Sequence, residues 1–507
     1  MTLAIAWARA AVGITAPEVR VEVHIAMGLP SLALVGLPRT EVRESRARVY
    51  SAITNSGFLF PSGRITVNMA PADLPKGGGR FDLAIAMGIL AASGQVNGDI
   101  EHLEFVGELT LGGEIRSVGA VLTAAYAARE AAREIVVPVA DSQEAALVHP
   151  FGTYPATRLC DILEHLSGRA ALAPVGPCLT LSPAPLNLPD LAAIRGQSAP
   201  RRALEIAAAG GLNLLLSGPP GTGKSMLAER LPSLLPDLSE EHALEAAAVR
   251  SVSGEGLDIS SWRRPQMRAP HHSLSTPALI GGGAHPPAPG EVSLAHRGVL
   301  FLDELPELPR TALEALREPL EVRRVTLSRS KGSVTYPAAF QLIAAMNPCP
   351  CGHYGDPTRQ CRCSPEQVQR YRNKLSGPLL DRFDIAVEVP RLAPHELIQT
   401  PVAESSSSVA SRVATARELA IERCGGIVAD LDGEQLNHYC YLAKDASELL
   451  EQATDALGLS PRGLNRLLRV ARTIADLAGG QDIDAAHLAE AINLRRGLDS
   501  GQWSTCS

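Results

Sequence analysis

The sequence predicts an α/β protein in three parts: a mixed α/β domain at the N-terminus, a second α/β domain around a parallel sheet, and an all-helical C-terminal domain. Three observations predict it. A chain of 507 residues is too long for one hydrophobic core. Short strand-like runs alternate with Ala- or Leu-rich helical stretches up to about residue 390 and then give way to helix alone. Five prolines crowd into residues 174–189 of "APVGPCLTLSPAPLNLPDL", which breaks regular structure and marks a linker. The expected boundaries are 1–168 for the first domain, 169–189 for the linker, 190–390 for the second domain and 391–507 for the helical one.

In the first domain, "VRVEVHI", "SLALVGL" and "RITVNMA" alternate apolar and polar residues as strands do, and "VLTAAYAAREAAREI" reads as one helix. After residue 391, "ESSSSVAS" reads as a polar joint before the helices. No internal repeat of solenoid type is present in the sequence.

Composition narrows the function classes. At 45% hydrophobic, 20% charged and a net charge of -7, the chain is globular, neither disordered nor membrane-embedded, so any nucleic-acid contact must come from a local basic patch. The apolar start "MTLAIAWARAAVG" lacks a basic leader, is interrupted by Arg9 and runs into a strand. No apolar stretch reaches the roughly 18 residues that span a bilayer. A cytoplasmic protein with no membrane partner is expected. Nine cysteines do not suggest a disulfide framework, but four of them fall between positions 349 and 363.

The second domain carries the chemistry. "NLLLSGPPGTGKSMLAERL" is an apolar strand, a Gly-rich loop and a helix, with Gly218, Pro219, Pro220, Gly221, Thr222, Gly223, Lys224 and Ser225 in the P-loop spacing. Its backbone N–H groups can wrap phosphates, Lys224 can reach the β- and γ-phosphates, and Ser225 can ligate Mg²⁺. ATP and Mg²⁺ are the expected cofactors. Downstream, "HRGVLFLDELPEL" is a buried strand that ends in two carboxylates with no Lys or Arg beside them. A nucleotide site explains the pair: Asp303 holds Mg²⁺ through water and Glu304 orients and deprotonates the attacking water. "FQLIAAMNPCP" is another buried strand, ending in Asn347, which can polarise that water.

With "SGPLLDRFDIAVEVP" the sequence resembles the AAA+ ATPases. The resemblance makes Asn347 sensor 1 and Arg382 an arginine finger inserted into a neighbouring subunit's site, which implies a homo-oligomer, usually a hexameric ring, and is worth roughly 10³ to 10⁵ in rate. The plainer reading pairs Arg382 with its flanking Asp381 and Asp384. In the lid, "LSPRGLNRLLRVARTIADL" starts a helix where AAA+ proteins place sensor 2, making Arg462 the candidate, with Arg466 and Arg469 on later turns.

Lys224 and Asp303 lie about 80 residues apart, more than a minimal core of this kind needs. The extra segment, "RRPQMRAPHHSLSTPALIGGGAHPPAPGEVSLAHRGVLFLDE", is similar to the magnesium chelatase-like group and, within it, the ComM/YifB family. The segments "GLPRTEVRESRARVYSAI" and "NMAPADLPKGGGRFDLAIAMGIL" extend the resemblance over essentially the whole chain. It implies an ATP-dependent DNA motor that moves branched or duplex DNA by branch migration in homologous recombination and natural transformation, with recombination proteins as partners. The alternative is the motor subunit of a magnesium chelatase-like remodelling complex. The N-terminal domain of this family looks like the Lon protease fold, but "PKGGGRF" puts Arg80 at the nucleophile's place and Leu122 stands where the catalytic Lys belongs. Without hydroxyl and amine there is no acyl transfer.

Two further segments stand out. "EVRRVTLSRSKGSVTYPAAF" reads as a β-hairpin with Arg329 and Lys331 at the tip and Arg323 and Arg324 on the stem, a phosphate grip or simply a solvated turn. The insert offers a second basic surface in Arg263, Arg264 and Arg268, with His271 and His272 either joining it or packed and hydrogen-bonded. "CPCGHYGDPTRQCRC" sets Cys349, Cys351, Cys361 and Cys363 as two C-x-C pairs nine residues apart, either four zinc ligands or reduced, unligated thiols.

Overall fold

The computed structural model describes residues 2–36, 39–74, 76–96, 98–177, 188–283, 287–329, 332–356, 358–393 and 403–499. The middle of the Pro-rich stretch lies outside them. Seven strands make the first sheet: β1 (Thr2–Arg9), β2 (Glu18–Ala26), β3 (Ser31–Val35), β4 (Arg64–Ala70), β5 (Leu103–Phe105), β6 (Glu134–Pro138) and β7 (Thr153–Ala156), in the order β3-β4-β2-β1-β5-β6-β7. β1, β2 and β4 pair antiparallel, and the remaining neighbours run parallel. The alternation in β2 works as a one-sided strand should: Val19, Val21 and Val23 are buried while the residues between them are less so. The apolar helix Asp82–Ala92 is buried along nearly its whole length against this sheet. The stretch expected as one helix is two elements, a helix Val121–Glu130 and then β6. The chain reverses at Ala132, whose φ is +53°, and "EIVVP" then enters the sheet as a buried strand.

The second sheet has five parallel strands, β8 (Leu214–Ser217), β9 (Met267–Arg268), β10 (Val299–Leu302), β13 (Gln341–Met346) and β14 (Ile385–Glu388), ordered β9-β10-β13-β8-β14. β8, β10 and β13 are buried throughout, which is why each reads as an unbroken apolar run rather than an alternation. Between β10 and β13 the chain makes a separate hairpin, β11 (Arg324–Arg329) and β12 (Gly332–Pro337), paired from Arg324↔Pro337 to Arg329↔Gly332. Val325, Leu327, Val334 and Tyr336 bury its inner face in the cluster that also holds β10 and β13. Ile14 of the N-terminal segment packs on that same cluster.

Further contacts join the N-terminal part to the core. Leu122 and Ala125 share a cluster with Ala247 of the helix Glu240–Ser253, and Ala120 N donates to Ser251 O at 2.8 Å. Arg80 is buried next to this contact and donates to Gly119 O at 2.9 Å; burial pushes its guanidinium pKa down to about 10. The two positions that lack protease chemistry thus lie at or beside a packing contact.

The last helices, Ser406–Cys424, Gly433–Tyr439, Lys444–Leu457, Pro461–Leu477 and Ala485–Asp499, share one apolar cluster with β8 and β14. In "ESSSSVAS", Ser405 caps the first of these helices, and Ser406 Oγ accepts from Leu191 N at 2.7 Å, tying the helix to the start of the core. Among the described residues no helix is long and apolar enough to cross a membrane.

Candidate active site

Parallel strands point their C-terminal ends the same way, so β8, β10 and β13 deliver their following residues to one edge of the sheet. After β8 comes the loop Gly218–Gly223, followed by the short helix Lys224–Ala228. Gly218 is required there: a Cβ would lie 2.3 Å from Val389 O, into the backbone just past β14. Lys224 is buried, and its ammonium donates to Gly218 O at 2.7 Å, Pro219 O at 2.9 Å and Asn347 Oδ1 at 3.2 Å. Burial brings its pKa down to about 8, against the opposing fields of Asp303 and Glu304.

β10 ends in Leu302, and the next two residues turn sharply. Ser225 Oγ donates to Asp303 Oδ2 at 2.6 Å, and Glu304 N donates to Asp303 Oδ1 at 2.8 Å. A hydroxyl and a carboxylate converging from two strand ends form an oxygen-only donor pair that fits a hard divalent cation such as Mg²⁺. Glu304 takes φ +50°, an uncommon conformation for a residue with a side chain, and begins the turn Leu305–Glu307. Its Oε2 lies 3.0 Å from His272 Nδ1. His271 stacks on His272 with ring centroids 4.1 Å apart and reaches Ser273 Oγ at 2.8 Å. His272, with its side chain 37% exposed, is held here by Glu304, and His271 by Ser273.

The remaining sequence-selected residues divide. Arg382 is only 6% exposed; it donates to Pro378 O at 2.8 Å and pairs with Glu321, not with Asp381 or Asp384. Arg462 reaches the same Glu321 at 3.3 Å, whereas Arg466 bonds Asp384 at 2.8 Å and Arg469 bonds Leu431 O. Within this one chain, Arg382 and Arg462 are therefore brought to each other by a shared carboxylate and not to Lys224. Glu321 escapes a reading of the sequence, since neither Glu of "REPLEVRR" carries a spacing signal and the partners of Glu321 are 61 and 141 residues away.

The basic candidates are largely engaged. Arg323 stands at the base of the hairpin, one residue before β11 and with φ +59°: its carbonyl accepts from Ala338 N at 2.8 Å, while its guanidinium turns to Asp430 and Ala429 O. Arg268 is clamped between Glu255 at 2.9 Å and Glu291 at 2.8 Å, which raises its pKa. Arg263 donates to Leu238 O at 3.1 and 3.2 Å, and Arg264 lies 3.8 Å from Asp237. Arg324 is exposed at the start of β11 and Arg329 ends that strand, while Lys331 lies outside the described residues.

Two residues beyond Asn347 the cysteine segment begins. The Sγ atoms of Cys349, Cys351, Cys361 and Cys363 all lie within 4.8 Å of one another. Gly352, with φ +81°, sits against the P-loop: a Cβ there would be 2.7 Å from Pro220 Cδ and 3.8 Å from Asn347 Cγ.

Three family models match the chain in register: "Magnesium chelatase, subunit ChlI" over residues 190–397, "Subunit ChlI of Mg-chelatase" over 21–141 and "Magnesium chelatase, subunit ChlI C-terminal" over 403–495. The YifB protein of Escherichia coli is 49% identical over 497 residues, covering 98% of this chain and 97% of its own. The competence protein ComM of Haemophilus influenzae is 48% identical over 500 residues, 98% of each chain. The chain belongs to the ComM/YifB family of magnesium chelatase-like proteins. A more distant likeness, 31% identity over 214 residues, is to the Holliday junction branch migration complex subunit RuvB of Prochlorococcus marinus, covering 41% of this chain and 46% of that one. With its parallel sheet and P-loop, the core of this ComM/YifB member is an AAA+ α/β fold.

Proposed function

We propose that this chain is an ATP-driven DNA motor that works as an oligomeric ring and moves branch points in recombining DNA. The observation that carries the ATPase half is the convergence of Lys224, Ser225, Asp303, Glu304 and Asn347 at the ends of three adjacent parallel strands. In this reading the Lys224 ammonium exchanges its carbonyl acceptors for phosphate oxygens, and Asn347 orients the attacking water. Glu304 takes that water's proton once it swings clear of His272. Ser225 and Asp303 would hold Mg²⁺, which supplies charge neutralisation at the β- and γ-phosphates. Arg382 completes a neighbouring subunit's site after leaving Glu321, so hydrolysis and assembly are linked.

The DNA half draws support from the relatives' names, a competence protein and a branch migration subunit. It also draws on the hairpin, which leads through the short stretch 338–340 into the strand Gln341–Met346 that Asn347 follows. Any shift of that strand on hydrolysis is passed along continuous chain to the tip. The alternative reading, a motor subunit of a chelatase-like complex, shares the whole ATP site and is favoured by the family models' descriptions. One assay separates them: ATPase rate with and without a four-way DNA junction. A DNA motor is stimulated, and an unchanged rate speaks for the chelatase-like role.

A further inference from the structure

The cysteine segment supplies none of the residues assigned above to hydrolysis or to a DNA grip, yet it is built onto the nucleotide site. Three of its sulfur pairs, Cys349–Cys351, Cys349–Cys361 and Cys351–Cys361, are separated by 3.4, 3.7 and 3.6 Å. A disulfide needs about 2.05 Å. Four sulfurs placed tetrahedrally about 2.3 Å from one zinc ion would sit about 3.8 Å apart, close to the spacing seen.

The surroundings suit a closed, structural site. Cys349 is buried, and Cys363 N points at Cys361 Sγ at 3.4 Å, the kind of backbone contact that orients and stabilises a thiolate ligand. Between the two pairs the described residues include no buried apolar side chain; the loop is held by Asp356, which accepts from Thr358 N at 2.9 Å and lies 3.1 Å from His353 and 3.4 Å from Arg391. A loop with so little buried apolar surface is of the kind that a structural metal can fix. Four sulfur donors select a soft ion and reject Mg²⁺.

We propose that Cys349, Cys351, Cys361 and Cys363 hold one structural zinc ion that braces the P-loop against the strand end carrying Asn347. The brace is the close approach of Gly352 to Pro220, which leaves no room for a Cβ, and Arg372 Nε adds a bond to Pro348 O at 3.3 Å. With the zinc bound, the loop fixes the separation of the two elements that Lys224 bridges. The brace rests on the nucleotide-site reading, whereas the zinc site itself does not.

The test uses the full chain purified without chelator. Elemental analysis should find one zinc per chain, and cobalt substitution should give the visible bands of a tetrahedral four-thiolate ion. Cys349→Ser with Cys361→Ser should lose the metal. Because that pair could unfold the loop, the wild-type protein stripped with an organomercurial and chelator is measured as well: affinity for a fluorescent ATP analogue should fall about tenfold and return with added zinc. Metal near zero, with four freely reactive thiols in reduced protein, overturns the site, and iron in place of zinc overturns the metal assignment. Unchanged nucleotide affinity after stripping overturns the brace. Lys224→Ala separates the two readings: it should keep the zinc while losing nucleotide, and wild-type nucleotide affinity in that variant would sink the P-loop reading and leave the zinc untouched.

Discussion

His272 Nδ1 and Glu304 Oε2 lie 3.0 Å apart, so the carboxylate expected to activate water is held from the insert that precedes β10. If DNA on the insert draws His272 away, hydrolysis becomes DNA-dependent. His272→Ala should therefore raise the DNA-free ATPase rate by about threefold to tenfold, about 0.7 to 1.4 kcal/mol of barrier, and shrink the stimulation by DNA. His272→Asn, which keeps a donor, should restore part of the control. A DNA-free rate that falls in both variants would show that His272 supports hydrolysis instead of restraining it.

Lys224 makes a second, pH-linked prediction. Its pKa of about 8 lies below the ordinary 10.5 because the ammonium is buried. The unfolded chain thus binds more protons between those values, and without nucleotide this group adds stability as pH rises through that window. Phosphates reverse the effect by favouring the charged form. ATP binding at about pH 8.5 should take up a fraction of a proton, and affinity should weaken as pH rises past 8. Calorimetry in two buffers of different ionisation heat measures the uptake. Equal heats in both buffers would contradict it.

Arg382 is buried against Glu321, and trans action requires that contact to open. Arg382→Ala should assemble and bind ATP but lose roughly 10³-fold or more in hydrolysis. Mixed in equal amounts with Lys224→Ala, it should recover activity, because some interfaces then pair an intact P-loop with an intact Arg382. Full activity of Arg382→Ala alone would remove the finger.

The hairpin is the expected grip. Replacing Arg329 and Lys331 by Ala should leave the DNA-free ATPase rate nearly unchanged, weaken DNA binding and flatten its dependence on salt by a slope of about 0.9 for each phosphate no longer engaged. An unaltered salt slope would move the grip to Arg324 or to the insert.

Motifs and strands are legible because each rests on local chemistry. The apolar runs of β8, β10 and β13, the glycines of the loop and the start of the helix Pro461–Leu477 all signal over a few residues. What escapes depends on long-range partners. Glu321 joins Arg382 to Arg462, Asp430 takes up the Arg323 guanidinium, and Glu255 and Glu291 close on Arg268. Such pairs are set by how helices meet in space, which no single-segment pattern carries. The early end of the helix Val121–Glu130 has a local reason: "EIVVP" brings together β-branched residues that suit a buried strand better than a further helical turn.

The central claim, ATP-driven movement of a DNA branch point, is tested most directly with a labelled four-way junction, the full-length protein, ATP and Mg²⁺. The junction should be resolved into its two duplex products with ATP, not with a non-hydrolysable analogue, and not by Glu304→Gln, which should bind ATP and fail to turn it over. A junction that stays intact while the same preparation hydrolyses ATP at a rate indifferent to DNA would contradict it.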